Sequence, residues 1–93
     1  VRTIYKYSLM PPTTTLIVSP DAEVLTVRVT AGQPVLYLLL DPEDGGERMT
    51  RTFTSVPTGG EAPVGITHED YCGTFEIERL IFHVFETTRT DET

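Results

Sequence analysis

Apolar and polar positions alternate along nearly the whole chain, and no stretch repeats apolar residues at the three-to-four spacing of an amphipathic helix. Thr3–Leu9 sets Tyr5, Tyr7 and Leu9 on one face and Ile4, Lys6 and Ser8 on the other, which predicts a strand at an edge or half-buried position. Pro11-Pro12 ends it, because proline has no N–H to give to a ladder. Thr13–Val18 is β-branched almost throughout and predicts a second, short strand. Ser19-Pro20-Asp21-Ala22 has the composition of a turn. Glu23–Thr30 follows as a strand with Leu25, Val27 and Val29 on one face. Ala31-Gly32-Gln33, a three-residue loop with a central glycine, predicts a hairpin into Pro34–Leu40. Because Val35–Leu40 is apolar on both faces, it is predicted to lie inside a sheet, antiparallel to Leu25–Thr30.

The second half continues in the same manner. Asp41 to Glu47 forms an acidic turn, and Arg48–Val56 returns as a strand with Met49, Arg51, Phe53 and Ser55 facing one way. Residues 57–70 have weak periodicity and read as a long loop, a feature more often functional or mobile than merely connective in so small a domain. Tyr71–Ile77 and Leu80–Glu86 finish the sheet. Between them stands only Glu78-Arg79, and neither residue favours the positive φ of a tight primed turn, so a hairpin and a bent continuous strand both remain open. The prediction is an all-β fold: one β-rich domain over residues 1–86, built as an antiparallel sandwich or partly open barrel of six to seven strands, with a frayed polar tail over 87–93.

Composition narrows the function classes. Ninety-three residues hold one domain. A net charge of −7, with seven basic residues of which six are arginine, repels nucleic-acid backbones and argues against direct nucleic-acid binding. A single cysteine, Cys72, excludes an internal disulfide and a cysteine-rich metal site. No apolar run approaches the roughly 18–20 residues of a membrane span, and no signal peptide is evident, so the expected location is cytoplasmic. Aromatic residues on both the first and last strands exceed what one thin core covers, which predicts a homo-oligomer, most simply a dimer.

Several residues invite a chemical reading. His83 sits among Ile81 and Phe85 on one strand face, where a lone histidine is more often structural than a base. His68 stands beside Glu69 and Asp70, short of the three or four ligands of a zinc site. Asp41, Glu43, Asp44 and Glu47 lack the spacing of a calcium loop. Cys72 and His83 would form a nucleophilic pair only if their strands brought them together, and no catalytic motif is present, so the expectation is a non-enzyme without metal or cofactor. The cationic group is more informative. Arg48 and Arg51 stand beside Phe53 on one strand, and Thr58-Gly59-Gly60 follows, so two guanidinium forks and a glycine-rich backbone suit a phosphate. Tyr5, Tyr7 and Tyr37 offer stacking surfaces for a base. The candidate ligand set is Arg48, Arg51, Thr58, Gly59, Gly60, His83 and Tyr7.

Beyond these readings, the blocks Ile4-Tyr5-Lys6-Tyr7, Leu40-Asp41-Pro42, Arg51-Thr52-Phe53, Thr58-Gly59, Gly73-Thr74-Phe75 and Phe82-His83-Val84-Phe85-Glu86 together resemble a family of small phage-encoded proteins of unknown function. The resemblance spans nearly the whole chain, and Phe82–Glu86 is its most specific part. It implies a viral origin, a host-cytoplasmic setting and a compact β-rich domain, but no activity. The leading expectation is a small phage accessory protein that sequesters a nucleotide-derived host immune signal, by analogy with small phage proteins of that kind. The alternatives are an inhibitor that docks an edge strand or acidic face on a host protein, and a virion accessory protein.

Overall fold

The computed structural model describes residues 1–43 and 45–91. Within them run seven strands: β1 (Thr3–Ser8), β2 (Thr13–Val18), β3 (Glu23–Thr30), β4 (Gln33–Leu40), β5 (Met49–Pro57), β6 (Tyr71–Ile77) and β7 (Leu80–Asp91). A short 3-10 turn over His68–Asp70 is the only helical element there, and it is far too short to cross a membrane. The strands make two antiparallel sheets, ordered β1-β4-β3 and β2-β5-β7-β6, that pack as a sandwich. The chain is therefore the sandwich and not the barrel.

β4 is central to its sheet, as its two apolar faces require. Leu36, Leu38 and Leu40 turn inward with Val27 from β3 and meet Phe53, Phe75 and Val84 from the other sheet; Leu36, Leu38, Phe53 and Val84 are completely buried. Phe75 stacks on Phe82, ring centroids 5.1 Å apart. Each such side chain contributes about 1.5–3 kcal/mol through burial, which makes this layer the main source of stability.

Two details of β3 depart from strict alternation. Its register with β4 shifts between Val24 and Thr26, so Leu25 is a bulge with no partner. The inward residues are consequently Val24 and Val27, and Leu25 is exposed, contrary to the face read from period two. The hairpin that follows closes on two residues and not three. Thr30 pairs with Gln33, and Ala31 and Gly32 both take positive φ, 51° and 78°, as a primed turn matching the strand twist demands.

The β6–β7 connection is likewise a hairpin. Ile77 pairs with Leu80, and Glu78 and Arg79 both adopt positive φ, 51° and 69°. Side chains with a Cβ are strained there, at roughly 1–2 kcal/mol per residue. Replacing the pair by Glu78→Asn with Arg79→Gly is therefore expected to stabilise the protein by about 1 kcal/mol, read as a higher midpoint in urea at unchanged slope.

The expected tail is also corrected. β7 continues through Asp91, with Thr88, Arg89, Thr90 and Asp91 opposite Thr52, Arg51, Thr50 and Met49. The nine-residue β5 needs a partner along its first half, and the threonines of this segment have high β propensity despite their polarity. The Thr87 and Thr54 hydroxyls bond at 3.0 Å and anchor the extension. Glu92 and Thr93 lie outside the described residues, as does Asp44 of the acidic turn.

Candidate functional site

The residues singled out for ligand binding do not meet in one place. Arg51 projects into the sandwich from β5 and is 3% exposed. Its Nε and Nη2 donate to the two carboxylate oxygens of Glu86, each at 2.8 Å, and its Nη1 donates to the Ala22 carbonyl at 2.7 Å. The bidentate geometry is that of the stronger class of ion pair. Arg89 approaches the same carboxylate at 3.5 Å and donates to the Pro20 carbonyl at 2.6 Å. A cavity of about 540 Å³ opens over the pair, but its lining adds Glu23, Glu69 and Asp70, so acids outnumber arginines four to two. Such a wall opposes an anionic ligand, and Arg51 is a structural cation.

Thr58-Gly59-Gly60 does not form an anion cradle either. The Gly60 N–H donates to the Pro57 carbonyl at 2.8 Å, closing a turn in which Gly59 takes a φ of 88°, and the Thr58 N–H donates to Ile81 at 2.9 Å. Two of the three backbone donors are thus engaged within the fold. The segment does meet His83, as the sequence set supposed: the Thr58 hydroxyl lies 2.7 Å from His83 Nε2. His83 Nδ1 lies 3.2 Å from the Thr74 hydroxyl, which in turn bonds to the Tyr71 phenol. This hydroxyl–imidazole chain runs across the outer face of the four-stranded sheet, with both imidazole nitrogens engaged. Cys72 is on the opposite, inward side, packed against the core, so the two residues form no dyad. Burial, then the Glu86 charge, pushes the Cys72 thiol up to about 12, leaving it protonated at neutral pH.

Arg48 and Tyr7 do come together. They line a cleft of about 180 Å³ at the open side of the sandwich, between the edge strands β1 and β2, with Tyr5, Ile17, Val18, Ser19 and the Leu40-Asp41-Pro42 corner. β1 aims Tyr5 and Tyr7 inward because they stand opposite Leu38 and Leu36 of β4. Burial and the neighbouring Tyr5 raise the Tyr7 phenol above its ordinary pKa, while the Arg48 guanidinium pulls in the other direction. Tyr37 is not part of this site: it stands opposite Lys6 and Thr26, on the outward face of its sheet.

Asp70 and Asp41, two of the acidic candidates, are engaged in local structure. Asp70 accepts from the Thr67 N–H at 2.9 Å, and Thr67 accepts from the Glu69 N–H at 3.3 Å, a reciprocal cap on the short 3-10 turn. Asp41 accepts from the Glu43 N–H at 3.0 Å within its own turn. Among the described residues no cluster of three histidine, cysteine or acidic side chains has the geometry to hold a metal ion.

Comparison with known proteins adds a family and no activity. No curated protein and no solved structure matches the chain. Residues 1–93 match a family described as a domain of unknown function, DUF7352, and the chain belongs to that family.

Proposed function

We propose that this member of the DUF7352 family is a small non-catalytic binding protein whose ligand enters the cleft between β1 and β2. The observation that carries this reading is the convergence of Tyr5, Tyr7 and Arg48 on one opening at the edge of the sandwich. Tyrosine rings stack on any planar ring system, with about 1–3 kcal/mol per base in nucleic-acid sites. The guanidinium fork suits an attached phosphate. A cavity of about 180 Å³ is smaller than one enclosing a whole drug-sized ligand, so a single ring system enters while the anionic part stays at the rim near Arg48. The ligand class is a nucleotide-like anion. With the phage origin that the sequence resemblance implies, the role is sequestration of a nucleotide-derived immune signal in the host cytoplasm.

The test has two parts. Protein purified from its host setting is denatured, and released small molecules are identified by ultraviolet absorbance and mass spectrometry. Calorimetry with linear and cyclic nucleotides then compares the wild type with Arg48→Ala. Loss of one charge-assisted contact is expected to weaken binding about ten- to a hundredfold. The melting temperature is expected to stay unchanged, because Arg48 is exposed. If no nucleotide binds the wild type more tightly than about 1 mM, the reading fails. The net charge of −7 then favours the alternative, an inhibitor of a host protein with a basic channel.

A further inference from the structure

Four strands end the two sheets: β1 and β3 in one, β2 and β6 in the other. Natural edges are normally blunted by charge, bulge or cover. Three of these follow that rule. β1 carries Lys6, β3 carries Glu23, Arg28 and the bulge at Leu25, and β6 carries Glu76 and a bulge at Cys72. β2 has none of these devices. Its six residues, Thr13-Thr14-Thr15-Leu16-Ile17-Val18, are uncharged, free of proline and paired to β5 without a register shift.

The direction of its free backbone groups follows from one hydrogen bond. The Pro12 carbonyl accepts from the Ser55 N–H at 2.8 Å, on the same register that pairs Thr13 with Thr54. In an antiparallel ladder such bonded pairs alternate. Thr14, Leu16 and Val18 therefore direct their N–H and C=O groups at β5, and Thr13, Thr15 and Ile17 direct theirs away from the sheet. The same three residues place their side chains on the outer face, where Ile17 is 60% exposed.

We propose that β2 pairs with the β2 of a second copy of this chain, antiparallel about a two-fold axis at Thr15. Two rules restrict the register, and among the registers that obey them the one centred on Thr15 forms the most bonded pairs. Opposed residues must share a sheet face, and the outward backbone groups must meet one another. Setting Thr15 against the partner's Thr15 satisfies both, and places Thr13 against the partner's Ile17 and Ile17 against the partner's Thr13. Each of these pairs exchanges both of its N–H···O bonds, and the two four-stranded sheets become one continuous sheet of eight. The occupant is a second copy because the edge is complementary to itself. Its lack of charge also removes the repulsion that two chains of net charge −7 meet elsewhere. Pro11, Pro12 and Pro20 limit the pairing to this one short window, so the dimer is weak.

Sedimentation between about 10 μM and 1 mM, the range in which so small a contact associates, tests the proposal. The wild-type mass is expected to rise from 10.4 kDa towards twice that value. Thr15→Lys sets two ammonium groups opposite each other at the axis and is expected to remain monomeric. Thr88→Lys, exposed on the same face but on β7, separated from the β2 edge by β5, is expected to dimerise like the wild type. Thr15→Cys is expected to form a disulfide-linked dimer on mild oxidation, since bonded pairs hold Cα atoms about 5.5 Å apart, within disulfide reach. Thr14→Cys, opposed to a different residue, is expected not to do so. A wild type that is monomeric throughout overturns the proposal, and so does a dimer that Thr15→Lys leaves intact. Protection of the Thr15 amide from exchange only when a foreign peptide is added also overturns it.

Discussion

Arg51→Ala is expected to destabilise the domain by about 3–5 kcal/mol, the cost of leaving one member of a buried ion pair uncompensated. That is a large share of the roughly 5–15 kcal/mol that holds a domain of this size together. The Glu86 side chain, 14% exposed, would keep only the more distant Arg89 contact, at 3.5 Å, which sets the loss towards the lower end of that range. In thermal unfolding the midpoint should fall by roughly 10–25 °C. The companion experiment removes both charges. Arg51→Met combined with Glu86→Leu fills a similar volume with apolar groups and is expected to recover part of that loss, since the pair's desolvation disappears with it while the Ala22 carbonyl still loses its Arg51 donor. A single variant as stable as the wild type would mean that Arg51 is not the buried structural cation described here.

Gly73→Ala is expected to cost about 2–5 kcal/mol. Gly73 has a φ of 152°, and a Cβ built on it would stand 3.0 Å from Val27 Cβ and 3.2 Å from the Val27 backbone nitrogen. Backbone strain of this kind costs about 1–3 kcal/mol, and forcing a methyl between packed sheets costs a similar amount. At this position β6 packs directly on β3 and joins the two halves of the sandwich. Gly59→Ala provides the comparison: its φ is 88°, but nothing lies within 4 Å of the added atom. Urea unfolding of the two variants should therefore separate the strain, common to both, from the packing, found only at Gly73. Equal losses would contradict the close approach of β3 and β6.

Much of this architecture was legible from local pattern. β2 and β3 begin and end where β-branched content and turn residues put them, and the doubly apolar β4 is interior. The departures arise where one residue changes the phase. Leu25 bulges, and the period-two reading of β3 then assigns the wrong inward set. Ala31, Glu78 and Arg79 accept positive φ because the strands on either side fix the turn length, which overrides residue preference. Thr87 to Asp91 are polar yet extended, because β5 supplies their ladder.

The site was less legible, for a related reason. Arg48 and Arg51 are three apart, so alternation puts them on opposite faces of one strand direction and sends Arg51 inward beside Phe53. The sequence held a signal for its partner: Phe82, Val84 and Glu86 share a face, so an inward acid on β7 awaits an inward base on β5. Recognising it requires knowing that these two strands pair, a contact between segments 35 residues apart. The Tyr5–Tyr7–Arg48 cleft likewise depends on two edge strands meeting across the sandwich, although both Tyr7 and Arg48 were in the candidate set.

The most direct test of the cleft is a titration of isotope-labelled protein with a nucleotide, followed residue by residue through its nuclear magnetic resonance spectrum. Ring currents from a stacked base are expected to shift the Tyr5 and Tyr7 ring signals and the Arg48 side-chain signal in step, while Arg51 and Tyr37 stay in place. Shifts centred on Thr58–Gly60 and His83, or on Arg89 above the Arg51–Glu86 pair, would contradict the assignment of the binding site to the opening between β1 and β2.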